Sequence, residues 1–262
     1  MSKCILKNVQ IVITRPEKQA QCMSELCRTY GAEPIMVPMI NIRPRALSEA
    51  DQSKLCHISN ADWLIFTSTN AVEFAMPLIK PYLTKTKDSI QVASVGNKTA
   101  TKLAKYGIDK VITPETECSS EGLLEHPNLK DVESNKIMIF TGLAGRKVLM
   151  EKLISRGAEV SLFEVYQRVA EDKVNKELVR QLQRHKIDVV FISSGEIFQN
   201  FVALYQDYIT LNPDMIFVVA SQRIADMAEE FGISETSLIV AQSAHDDMML
   251  KALIDWREGE VL

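Results

Sequence analysis

The chain lacks most of the features that mark a specialised protein. None of its apolar stretches approaches the about 18 residues needed to span a bilayer. The segment from Met1 to Pro16 holds only a short apolar strand, unlike a secretory leader. Charge is not concentrated either: 30 Lys and Arg face 34 Asp and Glu, and a net charge of −4 with no long run of one sign offers no basic stripe to follow phosphates. That argues against nucleic acid as a partner, as the first point argues against a membrane. The five cysteines (Cys4, Cys22, Cys27, Cys56, Cys118) are scattered, with no C-x-x-C pair, which is the pattern of free thiols in a reducing compartment. The four histidines (His57, His126, His185, His245) show no ligand spacing, so no metal site is expected. No G-x-G-x-x-G follows a strand and no G-x-x-x-x-G-K-[ST] occurs, which speaks against nucleotides. Neither a Ser-His-Asp motif nor a Cys with a local His is present. A cytoplasmic globular chain without a metal is the expectation, and 262 residues suit one large domain or two modest ones.

What the sequence has is internal repetition. Val9–Pro38 reads strand, T-R-P, helix, G-A-E, strand, and Lys136–Tyr166 repeats that layout. Asp62–Phe74 (DWLIFTSTNAVEF) is echoed by Asp188–Phe201 (DVVFISSGEIFQNF), and Val92–Thr113 by Val218–Val240. Three kinds of unit each occur twice, which predicts two similar domains. Each unit opens on a nearly continuous apolar run, as at Trp63–Phe66, Ile137–Phe140, Val189–Ile192 and Ile216–Val219. Such runs suit strands buried on both faces of a parallel sheet. Helical stripes follow (Ala20, Met23, Cys27, Tyr30; Ile224, Ala225, Ala228, Phe231), and Gly31, Gly107, Gly157 and Gly232 fall where a left-handed residue ends a helix. The fold class is therefore α/β, with doubly wound parallel sheets. Pro38–Arg45 and Ser161–Val169 instead alternate apolar and polar residues, which predicts half-exposed antiparallel strands able to form a ladder between two lobes. Composition alone places a serial boundary near the polar, turn-rich residues 125–135.

Ligands of doubly wound sheets bind beyond the carboxyl ends of the strands. The turns expected there share small hydroxyl residues and glycines: Thr14-Arg15-Pro16, Thr67-Ser68-Thr69-Asn70, Ser94 to Thr99 (with Gly96 and Lys98), Thr141-Gly142 to Arg146, Ser193-Ser194-Gly195 and Ala220-Ser221-Gln222-Arg223. Open backbone N–H groups at helix N-termini bind anions. One such turn is more often a helix cap, but six of them with basic residues in four fit a ligand with many carboxylates or phosphates. Arg15 before Pro16 is equally explained by a salt bridge to a neighbour. Tyr166, between Val165 and Gln167 on a proposed inter-lobe strand, is the titratable residue to single out as a weak acid or hydrogen-bond donor. On spacing alone an ordinary cross-strand aromatic is the stronger reading.

Taken together, T-R-P (Thr14–Pro16), G-A-E-P (Gly31–Pro34), F-T-S-T-N-A-V (Phe66–Val72), V-G-N-K-T-A (Val95–Ala100), G-R (Gly145-Arg146), R-G-A-E-V (Arg156–Val160), V-Y-Q-R (Val165–Arg168) and the late S-A-H-D-D-M-M-L-K-A-L (Ser243–Leu253) resemble the uroporphyrinogen-III synthase family across essentially the whole chain. The resemblance implies two flavodoxin-like lobes joined by a two-stranded β-ladder. One lobe is formed by 1–37 with 171–262 and the other by 46–160; 38–45 and 161–170 form the ladder. It also implies a cofactor-independent lyase that takes hydroxymethylbilane, releases water and inverts ring D, with Tyr166 assisting departure of the hydroxyl. As substrate contacts it implies Ser68, Asn70 and Thr99. The turns add Arg15, Thr69, Ser94, Gly96, Lys98, Gly142, Arg146, Ser193, Ser194, Gly195 and Ser221. A monomer receiving its substrate from the preceding pathway enzyme is expected. Two departures stand out: Thr141-Gly142 replaces an arginine-glycine, and Glu196 follows Ser193-Ser194-Gly195. The competing reading is a two-lobed cytosolic binding protein or sensor for a polyanion, and a flavin carrier follows only by analogy of fold.

Overall fold

A computed structural model describes residues 4–83, 90–115 and 117–259. The outermost residues of the expected first lobe, 1–3 and 260–262, lie outside them. The chain divides into two compact units, 1–41 with 169–262 (unit 1) and 42–168 (unit 2). In chain order, unit 1 begins with β1 (Gln10–Ile13), α1 (Glu17–Thr29) and β2 (Glu33–Met36). Next come β3 (Ile40–Pro44), α2 (Glu49–Leu55), β4 (Trp63–Phe66), α3 (Thr69–Leu83), β5 (Gln91–Ser94), α4 (Asn97–Ala104), α5 (Ser120–Leu124), β6 (Lys136–Gly142), α6 (Val148–Ser155) and β7 (Glu159–Ala170). Unit 1 is completed by α7 (Lys176–Gln183), β8 (Val189–Ile192), α8 (Gly195–Thr210), β9 (Ile216–Val219), α9 (Gln222–Phe231), β10 (Leu238–Val240) and α10 (Asp246–Arg257).

Unit 1 carries the sheet β10-β9-β8-β1-β2, parallel at every pairing. The apolar runs explain its order: every residue of β8 is buried, and so are Ile11, Val12 and Ile13 of β1. A strand covered by helices on both faces has no polar side to present. Gly31 (φ 88°) and Gly232 (φ 104°) take the left-handed conformation that ends α1 and α9, where a Cβ would be strained.

The sheet of unit 2 is β3-β7-β6-β4-β5, with β7, β6, β4 and β5 parallel. On one face the rings of Phe66, Phe140 and Phe163 stack with centroids 5.0 and 5.3 Å apart. The other face packs Trp63, Ile65, Ile137 and Ile139 on Leu149 and Leu153 of α6. Residues 125–135, where composition places a boundary, lie inside this unit. The segment expected to be antiparallel has two partners: it pairs parallel to β6 from Glu159 to Tyr166, and beside β3 its register runs the opposite way, with Arg45 facing Val165 and Met39 facing Glu171. Within each unit these two strands are also tied: Arg45 N–H donates to the Val165 carbonyl at 3.0 Å, and Glu171 N–H to that of Met39 at 3.1 Å.

Candidate active site

The chain order of the unit 2 strands reverses on either side of β4, so the switch point lies between β4 and β6. The connections leave to opposite faces there, and the parting helices open a crevice. A cavity of about 300 Å³ occupies that position, lined by Thr67 and Ser68 after β4, Thr141 and Gly142 at the end of β6 with Leu143 to Arg146 after it, Tyr166 and Arg168 of β7, and Ser120. That is the small end of the range for a drug-sized ligand.

Tyr166 is placed by a β-bulge. The register of β7 on β6 runs regularly to Thr141 opposite Glu164, then slips so that Gly142 faces Tyr166. Bulges of this kind re-aim a side chain beside a site. The half-buried Tyr166 ring stacks on Phe74 of α3, with centroids 5.9 Å apart at 27°. Its hydroxyl lies 3.1 Å from Ser68 Oγ. That oxygen accepts the Ala71 N–H at 3.0 Å, capping the first turn of α3. Thr67 Oγ1 donates to Thr141 Oγ1 at 3.0 Å.

The Gly142–Arg146 turn differs from the expected row of open amides. Leu143 N–H donates to the Tyr166 carbonyl at 2.8 Å, Gly145 N–H to that of Gly142 at 3.0 Å, and Ala144 N–H to Glu164 Oε1 at 3.3 Å. A tight turn satisfies its own donors, so recognition of an anion here falls to side chains. Arg146 is an accessible cation of the lining, with a side chain 78% exposed and a 3.7 Å contact to Glu121, and Arg168 is exposed as well. The turn after β5 lies outside the cavity lining. Ser94, which ends β5, is fully buried and donates to the Gly96 carbonyl at 3.1 Å. Thr99 is buried in the first turn of α4, whereas Lys98 and Thr69 are exposed and Asn70 is half-buried.

In unit 1 the remaining turns share one edge of the sheet, after β1, β8 and β9. Arg15 does not face outward. Its guanidinium pairs with Asp246 Oδ1 at 2.5 Å, donates to the Ala244 carbonyl and touches Met249 sulfur, with 11% of the side chain exposed. It ties β1 to the start of α10, the salt bridge to a neighbour that its place before Pro16 equally allows. Ser194 caps α8 by accepting the Ile197 N–H at 3.3 Å, beside half-buried Ser193. A Cβ on Gly195 would meet Arg223 and Met227 side-chain ends at 3.1 Å. Ser221 precedes α9 and makes no side-chain cap bond. Among the described residues no cluster of His, Cys, Asp or Glu could hold a metal, and no helix is long and apolar enough to cross a membrane.

The family model described as "Uroporphyrinogen-III synthase HemD" matches residues 21–251. The chain belongs to the uroporphyrinogen-III synthase family. The uroporphyrinogen-III synthase of Escherichia coli (strain K12) is 28% identical over 249 residues, covering 94% of this chain and 100% of that one. For the fold, the uroporphyrinogen-III synthetase of Helicobacter pylori 26695 aligns with a TM-score of 0.60 at 14% identity, covering 95% of this chain and 99% of that one. A mutant uroporphyrinogen III synthase of Thermus thermophilus gives 0.56 at 15% identity, covering 97% and 100%.

In this family member the cavity brings in Thr67 and Thr141 from the turns already expected, and adds residues that sequence reasoning passes over: Ser120, Arg168 and the Phe74 behind Tyr166. Arg168 could have been found, since residues two apart on a strand share a face and it stands two after Tyr166. Phe74 could not, because its contact depends on how α3 lies on the sheet.

Proposed function

We propose that this chain cyclises hydroxymethylbilane to uroporphyrinogen III, releasing water and inverting ring D. Family membership carries the reaction class. The observation that supports a working site in this chain is the Tyr166 hydroxyl, held against Ser68 at the wall of the unit 2 cavity. The terminal C–O bond of the substrate breaks as its pyrrole supplies electron density, and the departing hydroxyl leaves as water. Tyr166 donates a hydrogen bond to that oxygen, assisting departure without being indispensable. Ring D attacks the electron-poor methylene carbon left behind, the spiro intermediate so formed reopens with the ring turned over, and the macrocycle closes with loss of a ring proton that balances the one carried off in the water. Holding a flexible four-ring chain in the folded shape is the larger task, an effect of orientation.

As carboxylate contacts this reading takes Thr69, Asn70, Gly96, Lys98, Thr99 and Arg146 in unit 2, and for unit 1, by itself, Ser193, Ser194, Gly195 and Ser221. The same reading takes 1–37 with 171–262 as one lobe, 46–160 as the other, and 38–45 with 161–170 as the connecting ladder. It takes the protein as a cytoplasmic monomer supplied by the enzyme that makes the bilane.

The test is incubation of the purified protein with freshly generated hydroxymethylbilane, followed by oxidation and separation of the uroporphyrin isomers. A dominant type III isomer is expected. Type I alone, the product of unassisted closure, from protein shown to be folded overturns the assignment.

A further inference from the structure

We infer that Gly142 is a positioning residue for this reaction: having no side chain, it leaves the space in which the Tyr166 ring lies, and so holds the phenolic hydroxyl against Ser68 at the cavity wall. This rests on Tyr166 being the group that meets the leaving oxygen.

A Cβ at Gly142 would fall 2.6 Å from Cζ, 2.7 Å from Cε2 and 2.9 Å from the hydroxyl oxygen of Tyr166. Gly142 is not among the positive-φ glycines, so its backbone does not itself call for glycine. The ring does. All three contacts lie toward the hydroxyl end, so restoring an ordinary separation of about 3.5 Å moves the phenolic oxygen itself by roughly 1 Å. Ser68 closes the seat from the other side. Its oxygen accepts the Ala71 N–H and lies 3.1 Å from the phenolic oxygen, a pair in which either hydroxyl can be the donor. A phenol accepting from Ser68 keeps its own O–H for the substrate. Phe74 backs the ring, so the hydroxyl is held from three elements, β6, α3 and the turn before α3.

An aromatic laid over a strand glycine can also serve stability alone, and the two roles separate in measurement. Gly142→Ala, Tyr166→Phe and the double variant are compared for kcat, KM and isomer ratio. Each carries isotope-labelled tyrosine, and the Tyr166 resonance is assigned as the one missing from Tyr166→Phe. A misplacement near 1 Å predicts a kcat loss of about tenfold to a hundredfold for Gly142→Ala, with KM changed by less than about twofold. The Tyr166 resonance should move, and the double variant should be no slower than Tyr166→Phe by more than about twofold, since a ring without a hydroxyl has nothing left to misplace. Losses that multiply, a loss in KM alone, an unmoved resonance or undiminished turnover in Gly142→Ala each overturn the assignment.

If Gly142→Ala does not fold, Ser68→Ala against Ser68→Thr tests the same seat. The hydroxyl-keeping threonine should restore most of the kcat lost in alanine, and equal activity of the two overturns the seat. An unsubstituted chain that yields only the type I isomer removes the synthase reading instead. The Tyr166 resonance in Gly142→Ala still decides the seat in that event: moved supports it, unmoved overturns it.

Discussion

Asp246 faces two very different groups at the residue scale. It pairs with Arg15, and its charge is the second cause, after burial, that pushes the Cys27 thiol up from 9.0 to about 12. Removing one member of a largely buried pair strands the other, so Arg15→Ala should lower unfolding stability by about 3 kcal/mol in urea titrations. Isomer formation should fall only as far as folded protein is lost. The raised thiol also has a pH signature. The folded chain holds the Cys27 proton to higher pH than the unfolded chain, so this group's stabilisation is complete below about pH 9 and is lost as pH climbs through about 12. Cys27→Ser should flatten the decline of the melting temperature across that alkaline window. At pH 8 an alkylating reagent should modify Cys4, Cys22, Cys56 and Cys118, which are exposed, and reach Cys27 only after denaturation. Mass spectra of folded and denatured protein check this, and prompt modification of Cys27 in folded protein would contradict it.

Elements depend on their ends and on their neighbours. Asn175 starts α7 by accepting the N–H groups of Glu177 and Leu178 at 3.0 Å, and its own N–H donates to the buried Tyr205 hydroxyl of α8 at 2.9 Å. Asn175→Ala should cost about 1 kcal/mol through the lost cap. Tyr205→Phe should cost about 1–3 kcal/mol by orphaning a backbone donor. Chemical denaturation of each variant measures both. The element types are legible in the sequence because burial on two faces demands continuous apolar runs, as at Trp63–Phe66 and Val189–Ile192, both of which are fully buried strands. The second partner of β7 is not. Alternation reports that a strand is exposed on one side and is silent about how many neighbours it takes. Glu159–Tyr166 also pairs parallel to β6, besides the opposed register with β3 that the alternation leads one to expect.

For the whole molecule, the path of the chain makes the two units unequal. Unit 2 is one continuous stretch, 42–168, whereas unit 1 is closed by two pieces far apart in sequence. The first of those pieces supplies β1, which sits inside the sheet between β8 and β2. Deleting residues 1–41 would thus leave β8 with a buried, unpaired edge. We expect the fragment 42–168 to melt cooperatively by circular dichroism. A chain lacking 1–41 should keep amide protection in unit 2 and lose it in β8, β9 and β10. Protection persisting in those three strands would show that unit 1 does not need its first piece.

The sequence by itself determined the alternation of strands and helices, the residue types at the strand ends and the motif set of the family, because these depend on side-chain chemistry at short range. Only the tertiary structure decided what those residues do. It turned Arg15 inward to Asp246, used the amides of the Gly142 turn internally, and laid Tyr166 over Gly142 beside Ser68. Each of those outcomes depends on the register of one strand against another or the packing of a helix on a sheet, and so on contacts between residues tens to hundreds of positions apart that no local pattern encodes.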